Sequence, residues 1–226
     1  KQAGVEIKTN SPLGPELTIE DLKNQGYEAI FIATGQYKPK TLKLEGEDLP
    51  GVYVAINFLI DRKYRYWERK EEFEGKTVGI IGGGPVAVDV AQTALRLGAK
   101  KIHLVDIASE NDLELVLRDI PEEEFEFMEY HFKTSTSKIT KNEDKLELNC
   151  YKIEWGDPNE NGRKPLNKVE ESDYKISVDE IVIAIGQAVD FDLIDKATNN
   201  QMQKERNKIS INEITFETNI PGVFAG

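Results

Sequence analysis

The chain has 226 residues, which is enough for roughly one large domain or one and a half domains of typical size. Its net charge of −12 argues against a nucleic-acid backbone or an anionic membrane surface as the main partner, so we expect no nucleic acid and no membrane. Cysteine occurs once, at Cys150, which excludes an intrachain disulfide and a thiolate set for an iron–sulfur cluster within this sequence. A reduced, cytoplasmic setting fits this composition.

The first part of the chain is predicted to form a strand, a helix and a second strand. The alternating stretch GVEIKT (residues 4–9) predicts a short strand. Thr18 followed by Asp21 has the spacing of a helix N-cap, and Gly26 is expected to end that helix. The continuous apolar run YEAIFIATG (27–35) predicts a strand that is buried on both faces.

A longer helix and an α/β unit are predicted after a loop rich in proline, glycine and charge. The apolar spacing from residue 52 to residue 73 predicts an amphipathic helix. TVGII (77–81) is predicted as a strand, VAVDVAQTALRLGA (86–99) as a helix, and KIHLVDI (101–107) as the next strand.

The periodicity then changes to an alternating pattern. The stretch 129–155 carries a turn at residues 142–144, which predicts antiparallel hairpin strands. DYKISVDEIVIAIG (173–186) closes the unit with another apolar strand, and its last residues repeat the pattern of IFIATG. Gly35 and Gly186 are therefore expected to leave two similar sheets. The predicted fold class is α/β, a Rossmann-like βαβ parallel sheet with an antiparallel β-hairpin layer.

A glycine turn stands between the strand TVGII and the helix that follows it. Gly82, Gly84 and Ala87 form G-x-G-x-x-A, in which the glycines permit a tight turn and close approach of a pyrophosphate, and the alanine permits close packing. The helix N-terminus offers backbone N–H groups to the phosphates. Asp106 ends the next strand, about 20 residues on, where a carboxylate can bind a ribose 2′-hydroxyl. This context favours dinucleotide binding over a turn that only packs a helix on a sheet, and valine at Gly82 or Gly84 is expected to block binding without unfolding the chain.

Other polar residues have a structural interpretation beside a functional one. His103 and His131 are expected to be strand residues and not ligands, because a zinc site needs three or four convergent ligands and none are expected to cluster here. We therefore predict no metal site. Asp89 either orients nicotinamide or ribose groups or is an acid favoured by the helix dipole. Arg163 either reaches a phosphate or holds its own loop, and the loop is favoured.

Six motifs occur along the chain in an order that resembles one known family. They are YEAIFIATG, EGEDLPGVYVAINFL, GKTVGIIGGGPVAVDVAQTALRLGAKKI, GDPNENGRKP, VDEIVIAIGQAVD and TNIPGVFAG. Together they cover nearly the whole chain, and the last two are the most specific. The chain resembles the small subunit of glutamate synthase and its relatives, flavoproteins that pass electrons from a nicotinamide to FAD and on to iron–sulfur clusters.

The resemblance implies a FAD/NAD(P)-binding fold of the pyridine nucleotide-disulphide reductase type. Residues 1–36 and 187–226 would then be parts of the FAD-binding domain, and residues 37–186 an inserted NAD(P)-binding domain. The family's cysteines for iron–sulfur clusters, its first glycine turn for FAD and the Gly-Asp that follows its last motif are missing from this sequence. We therefore interpret the chain as a piece of a longer protein, one that does not hold FAD by itself.

The resemblance also implies a function. The intact protein is expected to be an NAD(P)H-dependent flavin oxidoreductase, with the FAD domain, an iron–sulfur region of the parent chain and a large partner subunit as partners, while this fragment alone is inactive. A nucleotide sensor or scaffold module without redox activity is the alternative. No catalytic residue is predicted, since the cofactors carry the chemistry. The expected cofactor-binding residues are Gly82, Gly83, Gly84, Pro85, Val86, Ala87, Asp89, Asp106, Ile107, Ala184, Ile185 and Gly186.

The choice between NADH and NADPH depends on the residues after the second strand. The resembled family mostly uses NADPH and typically has arginines there, whereas this chain has Asp106, Ile107 and Ala108. A phosphate beside Asp106 would meet like charge, so we expect NADH to be favoured by about 1–2 kcal/mol. A cation folding back from elsewhere is the alternative, and the candidates are Lys100, Lys101 and Arg118.

Overall fold

The computed structural model describes residues 4–69, 71–118, 120–160, 162 and 164–226, so Arg163 lies outside the described residues. Its helices are α1 (Ile19–Asn24), α2 (Ala55–Tyr64), α3 (Tyr66–Arg69), α4 (Pro85–Arg96), α5 (Glu110–Leu117), α6 (Glu122–Phe125) and α7 (Phe191–Ala197). Its strands are β1 (Ile30–Ile32), β2 (Lys38–Pro39), β3 (Val52–Val54), β4 (Thr77–Ile81), β5 (Lys101–Val105), β6 (Met128–His131), β7 (Thr134–Asn142), β8 (Lys145–Trp155), β9 (Leu166–Lys168), β10 (Tyr174–Val178), β11 (Glu180–Ile183), β12 (Gln187–Ala188), β13 (Lys204–Glu205), β14 (Lys208–Ile209) and β15 (Val223–Ala225). None of the described helices has the length and apolar character that crossing a membrane requires.

The chain divides into two compact units. The first comprises the two ends of the chain, up to Lys38 and from Gln187 onward, and the second is Pro39–Gly186. The assignment of the first unit to a FAD-binding domain stays a proposal.

A parallel sheet forms the centre of the second unit. Its strand order is β3-β11-β4-β5-β6, and every neighbouring pair in it runs parallel. Helices α2 and α4 cover one face, where Phe58, Val90 and Ile102 are fully buried in one cluster. The predicted strand–helix–strand unit is confirmed here, because β4, α4 and β5 follow each other in the predicted places.

An antiparallel layer covers the other face of this sheet. It has the strand order β10-β8-β7, with β9 paired to β8, and its Leu148 is buried against Ile181 and Ile183 of the parallel sheet. A Cβ at Gly79, in the middle of β4, would lie 2.9 Å from Leu148 Cδ1, so glycine permits the close approach of the two sheets. The predicted α/β fold class is thus confirmed: helices on one face, an antiparallel layer on the other.

The first unit has its own small core. Strand β1 pairs parallel with β15, and Ile32, Ile194 and Val223 are buried together. Helix α1 begins at the predicted N-cap: the Asp21 backbone N–H donates to Thr18 Oγ1 at 3.1 Å, and the Thr18 backbone N–H donates to the Asp21 carboxylate at 2.9 Å. This reciprocal pair is a capping box.

Two predictions in the first unit differ from the structure. The strand expected over residues 4–9 is wrong, because no described strand pairs with this segment, and Val5 and Ile7 are 60% and 78% exposed. The strand expected over 27–35 is present only at Ile30–Ile32. Its expected burial on both faces is also wrong, since Phe31 is 61% exposed.

Two predictions in the second unit differ from the structure, because strand pairing overrides local periodicity. The helix expected from residue 52 begins at Ala55, and Val52–Val54 forms β3, the edge strand beside β11. The hairpin expected from residue 129 begins later, at Thr134. Met128–His131 is instead the last strand of the parallel sheet, beside β5, and only β7 and β8 form the antiparallel hairpin with its turn at residues 143–144.

Candidate functional site

A cavity of about 540 Å³ lies where β4, β5 and β11 reach their carboxyl ends, which is where open α/β sheets place their ligand sites. Strand β4 ends at Ile81, and the glycine turn leads directly into α4. The cavity is lined by Leu42, Ile81, Gly82, Gly83, Gly84, Pro85, Val86, Val105, Asp106, Ile107, Thr134, Ser135, Thr136, Ala184, Ile185 and Gly186.

The first two glycines of the turn are required by their surroundings. Gly82 has a φ of +123°, and a Cβ there would overlap the carbonyl group of Ala184. A Cβ at Gly83 would lie 2.5 Å from Leu113 Cδ1 and 3.1 Å from the Asp106 side chain. The Gly82 backbone N–H donates to Val105 O at 2.8 Å and joins the turn to β5. The tight turn therefore depends on the absence of side chains at both positions.

Gly84 is different, because the space around it is open. It is the N-cap of α4 with φ −75° and ψ 179°, and a Cβ there would meet no atom within 4 Å. The expectation that valine blocks a ligand without unfolding the chain therefore applies to Gly84 and not to Gly82.

Unpaired backbone donors lie at this turn. Among the described residues, the backbone N–H groups of Gly83, Gly84 and Val86 have no hydrogen-bond partner. All three residues line the cavity, at the N-terminus of a twelve-residue helix. Free N–H groups and the positive end of the helix dipole together form an anion site.

Asp106 borders the same cavity and is held in place by its neighbours. Its Oδ1 accepts the backbone N–H of Ala108 at 2.7 Å, and its carbonyl oxygen accepts the backbone N–H of Thr134 at 2.9 Å. The carboxylate thus stands at the end of β5, with Ile107 beside it on the cavity wall.

Two of the three cations named from the sequence lie away from Asp106. Lys100 and Lys101 lie at the amino end of β5, the opposite end from Asp106, and Lys101 pairs with Glu129. Lys133 lies closer, because its backbone N–H donates to Ala108 O at 2.9 Å. With Ser109 it lines a second, smaller cavity.

Most of the predicted site residues come together, and two do not. Ala87 is fully buried in the core and supports the turn by close packing. Asp89 lies two residues after Ala87 on α4, so it points away from the buried face of the helix and is exposed. It lines a different cavity, together with Arg62 and Arg96. It is thus not part of the glycine-turn cavity, and its expected role toward nicotinamide or ribose stays a prediction.

Sequence reasoning missed one wall of the cavity. Thr134, Ser135 and Thr136 line it from the beginning of β7, and Leu42 lines it from the loop before β3. Nothing in these polar residues distinguished them from other strand residues. They reach the site because the antiparallel layer packs over the carboxyl end of β5.

A second cluster lies on β5 and β6. His103 and His131 are strand residues, as predicted, but the expectation that no potential ligands cluster is wrong. His103 Nδ1 lies 3.0 Å from His131 Nε2, and the Glu129 carboxylate lies 3.7 Å from the first nitrogen and 3.5 Å from the second. Burial lowers the pKa of both histidines, so both imidazoles are neutral at pH 7.

Comparisons with known proteins show the family to which the chain is similar. A family described as "Pyridine nucleotide-disulphide oxidoreductase" matches residues 2–226. The NADP(+)-dependent formate dehydrogenase subunit beta of Moorella thermoacetica is 32% identical over 229 residues, which is 100% of this chain and 31% of that protein. The glutamate synthase [NADPH] small chain of Escherichia coli K12 is 30% identical over 192 residues, which is 81% of this chain and 40% of that protein. The resemblance to the glutamate synthase small subunit is thus confirmed.

A solved structure shows the same fold. The structure of FprA from Mycobacterium tuberculosis in complex with NADPH matches with a TM-score of 0.62 at 17% identity, over 92% of this chain and 59% of that one. The chain spans about a third to two fifths of the two curated relatives named above.

Proposed function

Because the chain belongs to the pyridine nucleotide-disulphide oxidoreductase family, we propose that its glycine-turn cavity binds a nicotinamide dinucleotide. The observation that carries this proposal is the set of unpaired N–H groups of Gly83, Gly84 and Val86, three residues that line a cavity large enough for an organic ligand. Unpaired donors at a helix N-terminus are the binding partners that a pyrophosphate requires.

The residues around the turn fit such a ligand. The open space at Gly84 leaves room for a phosphate against the backbone. The Asp106 carboxylate stands where it can accept a hydrogen bond from a ribose hydroxyl, and Ile107 and Leu42 offer apolar surface to a base. Ala184, Ile185 and Gly186 border the cavity from the end of β11.

The proposed role of the chain is to bind and orient. A bound NAD(P)H would supply a hydride for FAD in the intact protein. The residues of this cavity then hold the dinucleotide in a fixed orientation, and no acid–base side chain is needed for that task. We propose on this basis that the chain is part of a glutamate synthase-like flavin oxidoreductase.

We propose that the parent protein contains further parts. Residues 1–36 and 187–226 are assigned to its FAD-binding domain, with an iron–sulfur region and a large partner subunit as the other partners. The short coverage of the longer relatives supports further domains, and the relatives named as a small chain and as a subunit support a partner.

We also propose that NADH is favoured over NADPH. Asp106 borders the cavity, and Lys100 and Lys101 lie at the far end of β5, so a 2′-phosphate would meet a carboxylate. The relatives described above carry NADPH or NADP(+) in their names, and Lys133 beside Ala108 is the group that would reverse the preference.

Calorimetric titration of the 226-residue chain with NADH and NADPH at one ionic strength tests both proposals. We expect one dinucleotide per chain, with NADH bound about tenfold more tightly, as expected for one charge contact. Tighter binding of NADPH, lost in Lys133→Ala, would show that Lys133 reads the phosphate. Binding of neither dinucleotide by the folded chain would overturn the function itself.

A further inference from the structure

The cluster of His103, Glu129 and His131 has a structural origin in the register of two parallel strands. The register pairs His103 of β5 with Glu129 of β6, and His131 follows two residues later on the same face of the sheet. Two imidazoles and one carboxylate therefore converge without any loop, and these ligand atoms lie within 4.8 Å of one another. The cluster is separate from the glycine-turn cavity, whose lining residues do not include these three.

The distances are close to those of a tetrahedral metal site. Zinc–nitrogen and zinc–oxygen bonds of about 2.0–2.1 Å place tetrahedral donor atoms about 3.3–3.4 Å apart. The two histidine nitrogens lie 3.0 Å apart, Glu129 Oε1 lies 3.5 Å from His131 Nε2, and Glu129 Oε2 lies 3.7 Å from His103 Nδ1, so each carboxylate oxygen lies near one histidine. Glu129 is about half exposed, which leaves the fourth direction open to solvent.

Hydrogen bonds fix His131 in the form that a metal requires. Thr134 Oγ1 donates to Phe132 O at 2.9 Å, so it accepts the proton of Tyr174 Oη, which lies 3.3 Å away. Tyr174 Oη in turn accepts from His131 Nδ1 at 3.2 Å. This order of donors places the His131 proton on Nδ1 and leaves the lone pair of Nε2 directed at His103. Such a partner on the second ring nitrogen is typical of metal-binding histidines.

We propose that His103 Nδ1, His131 Nε2 and the Glu129 carboxylate bind one divalent transition-metal ion, with Zn²⁺ as the ion that best suits two imidazoles and a carboxylate. Lys101 competes for the same carboxylate, because its Nζ lies 2.5 Å from Glu129 Oε2. Its side chain is 46% exposed, so it can swing into solvent when the metal binds. The site does not depend on dinucleotide binding.

The experiment is a titration of the 226-residue chain, freed of metal by a chelator, with Co²⁺ followed by displacement with Zn²⁺. We expect one Co²⁺ per chain, visible ligand-field absorption, and its loss on adding Zn²⁺. His131→Ala is expected to lose the absorption. Tyr174→Phe is expected to weaken binding by about 10- to 100-fold, since it removes only the partner of the ligating histidine.

Two exposed positions keep the test decisive if a histidine variant does not fold. Glu129→Gln is expected to weaken Co²⁺ binding at least tenfold, and Lys101→Ala to strengthen it about tenfold by removing the competing charge. The matched control is Asp173→Asn, which is expected to leave Co²⁺ binding unchanged. Asp173 suits this purpose because its carboxylate also pairs with an exposed lysine, Lys168. Absence of Co²⁺ absorption in the folded chain, or equal affinities in the chain and in Glu129→Gln, would overturn the proposal.

Discussion

A valine at Gly84 is expected to weaken dinucleotide binding strongly while the chain remains folded. The backbone at Gly84 has φ −75° and ψ 179°, which valine adopts readily, and a Cβ there meets no atom within 4 Å. Replacing glycine at an N-cap by an aliphatic residue lowers the free energy of unfolding by about 1 kcal/mol. The same replacement lowers the conformational entropy of the unfolded chain, which restores about 0.4–1 kcal/mol. The net change in the free energy of unfolding is therefore expected to be below about 1 kcal/mol.

The same side chain would occupy the space beside the free N–H groups. A pyrophosphate displaced from Gly84 and Val86 loses two hydrogen bonds to a charged group, each worth about 1.5 kcal/mol or more. The sum of about 3 kcal/mol corresponds to a loss in affinity of about 100-fold.

Calorimetry with NADH and NADPH, on variants whose thermal unfolding has been measured, separates binding from stability. Asp89→Val is the matched control, because Asp89 lies on the same helix but lines another cavity, and its affinity is expected to equal that of the unchanged chain. Gly82→Ala is expected to lower the melting temperature instead, since its φ is +123° and the Ala184 carbonyl blocks a Cβ. Unchanged affinity of folded Gly84→Val for both dinucleotides would refute the reasoning and leave the turn with a packing role only.

Three further predictions concern specificity, flavin content and stability. Asp106→Ala is expected to reduce the preference for NADH over NADPH about tenfold, because it removes the charge that repels a 2′-phosphate. The preference is measured as the ratio of the two dissociation constants. An unchanged ratio would mean that the Asp106 carboxylate does not face the ribose. The purified 226-residue chain is expected to be colourless, because its sequence holds one glycine turn of this type; flavin absorption that survives desalting would contradict this. Asp179 is partly buried, which disfavours its charge, but its hydrogen bonds from Lys145 and from the Thr77 backbone N–H outweigh this desolvation and lower its pKa below the usual 3.8. The contribution of these hydrogen bonds to the free energy of unfolding is therefore present at pH 7 and lost as the pH falls from 3.8 through the lowered pKa. Asp179→Asn is expected to cost about 1 kcal/mol at pH 7 in denaturant unfolding and nothing once Asp179 is protonated. A difference between the two proteins that persists in acid would refute the ionic origin.

Sequence alone determined the features that short-range geometry decides. The tight turn between β4 and α4 needs glycine at Gly82 because the backbone there has φ +123°, which is a local requirement, and its place between an apolar strand and a helix was readable from the chain. The capping box at Thr18 and Asp21 spans a single helical turn and was predicted for the same reason. The family followed from the order of such motifs along the chain.

Tertiary structure decided which segments pair and which side chains meet. Val52–Val54 has the periodicity of a helix and Met128–His131 that of a hairpin strand, yet both become edges of the parallel sheet, because β11 and β5 offer them backbone partners far away in sequence. The same register brings His103 beside Glu129, although the two residues are separated by 25 intervening residues in the sequence. Asp89 lies near the glycine turn in sequence but lines a different cavity, because helical rotation, and not distance along the chain, sets which cavity a side chain faces. Local sequence thus fixes turns and caps, whose energies depend on neighbouring residues, whereas strand partners and cavity walls depend on contacts that form only when the whole unit folds.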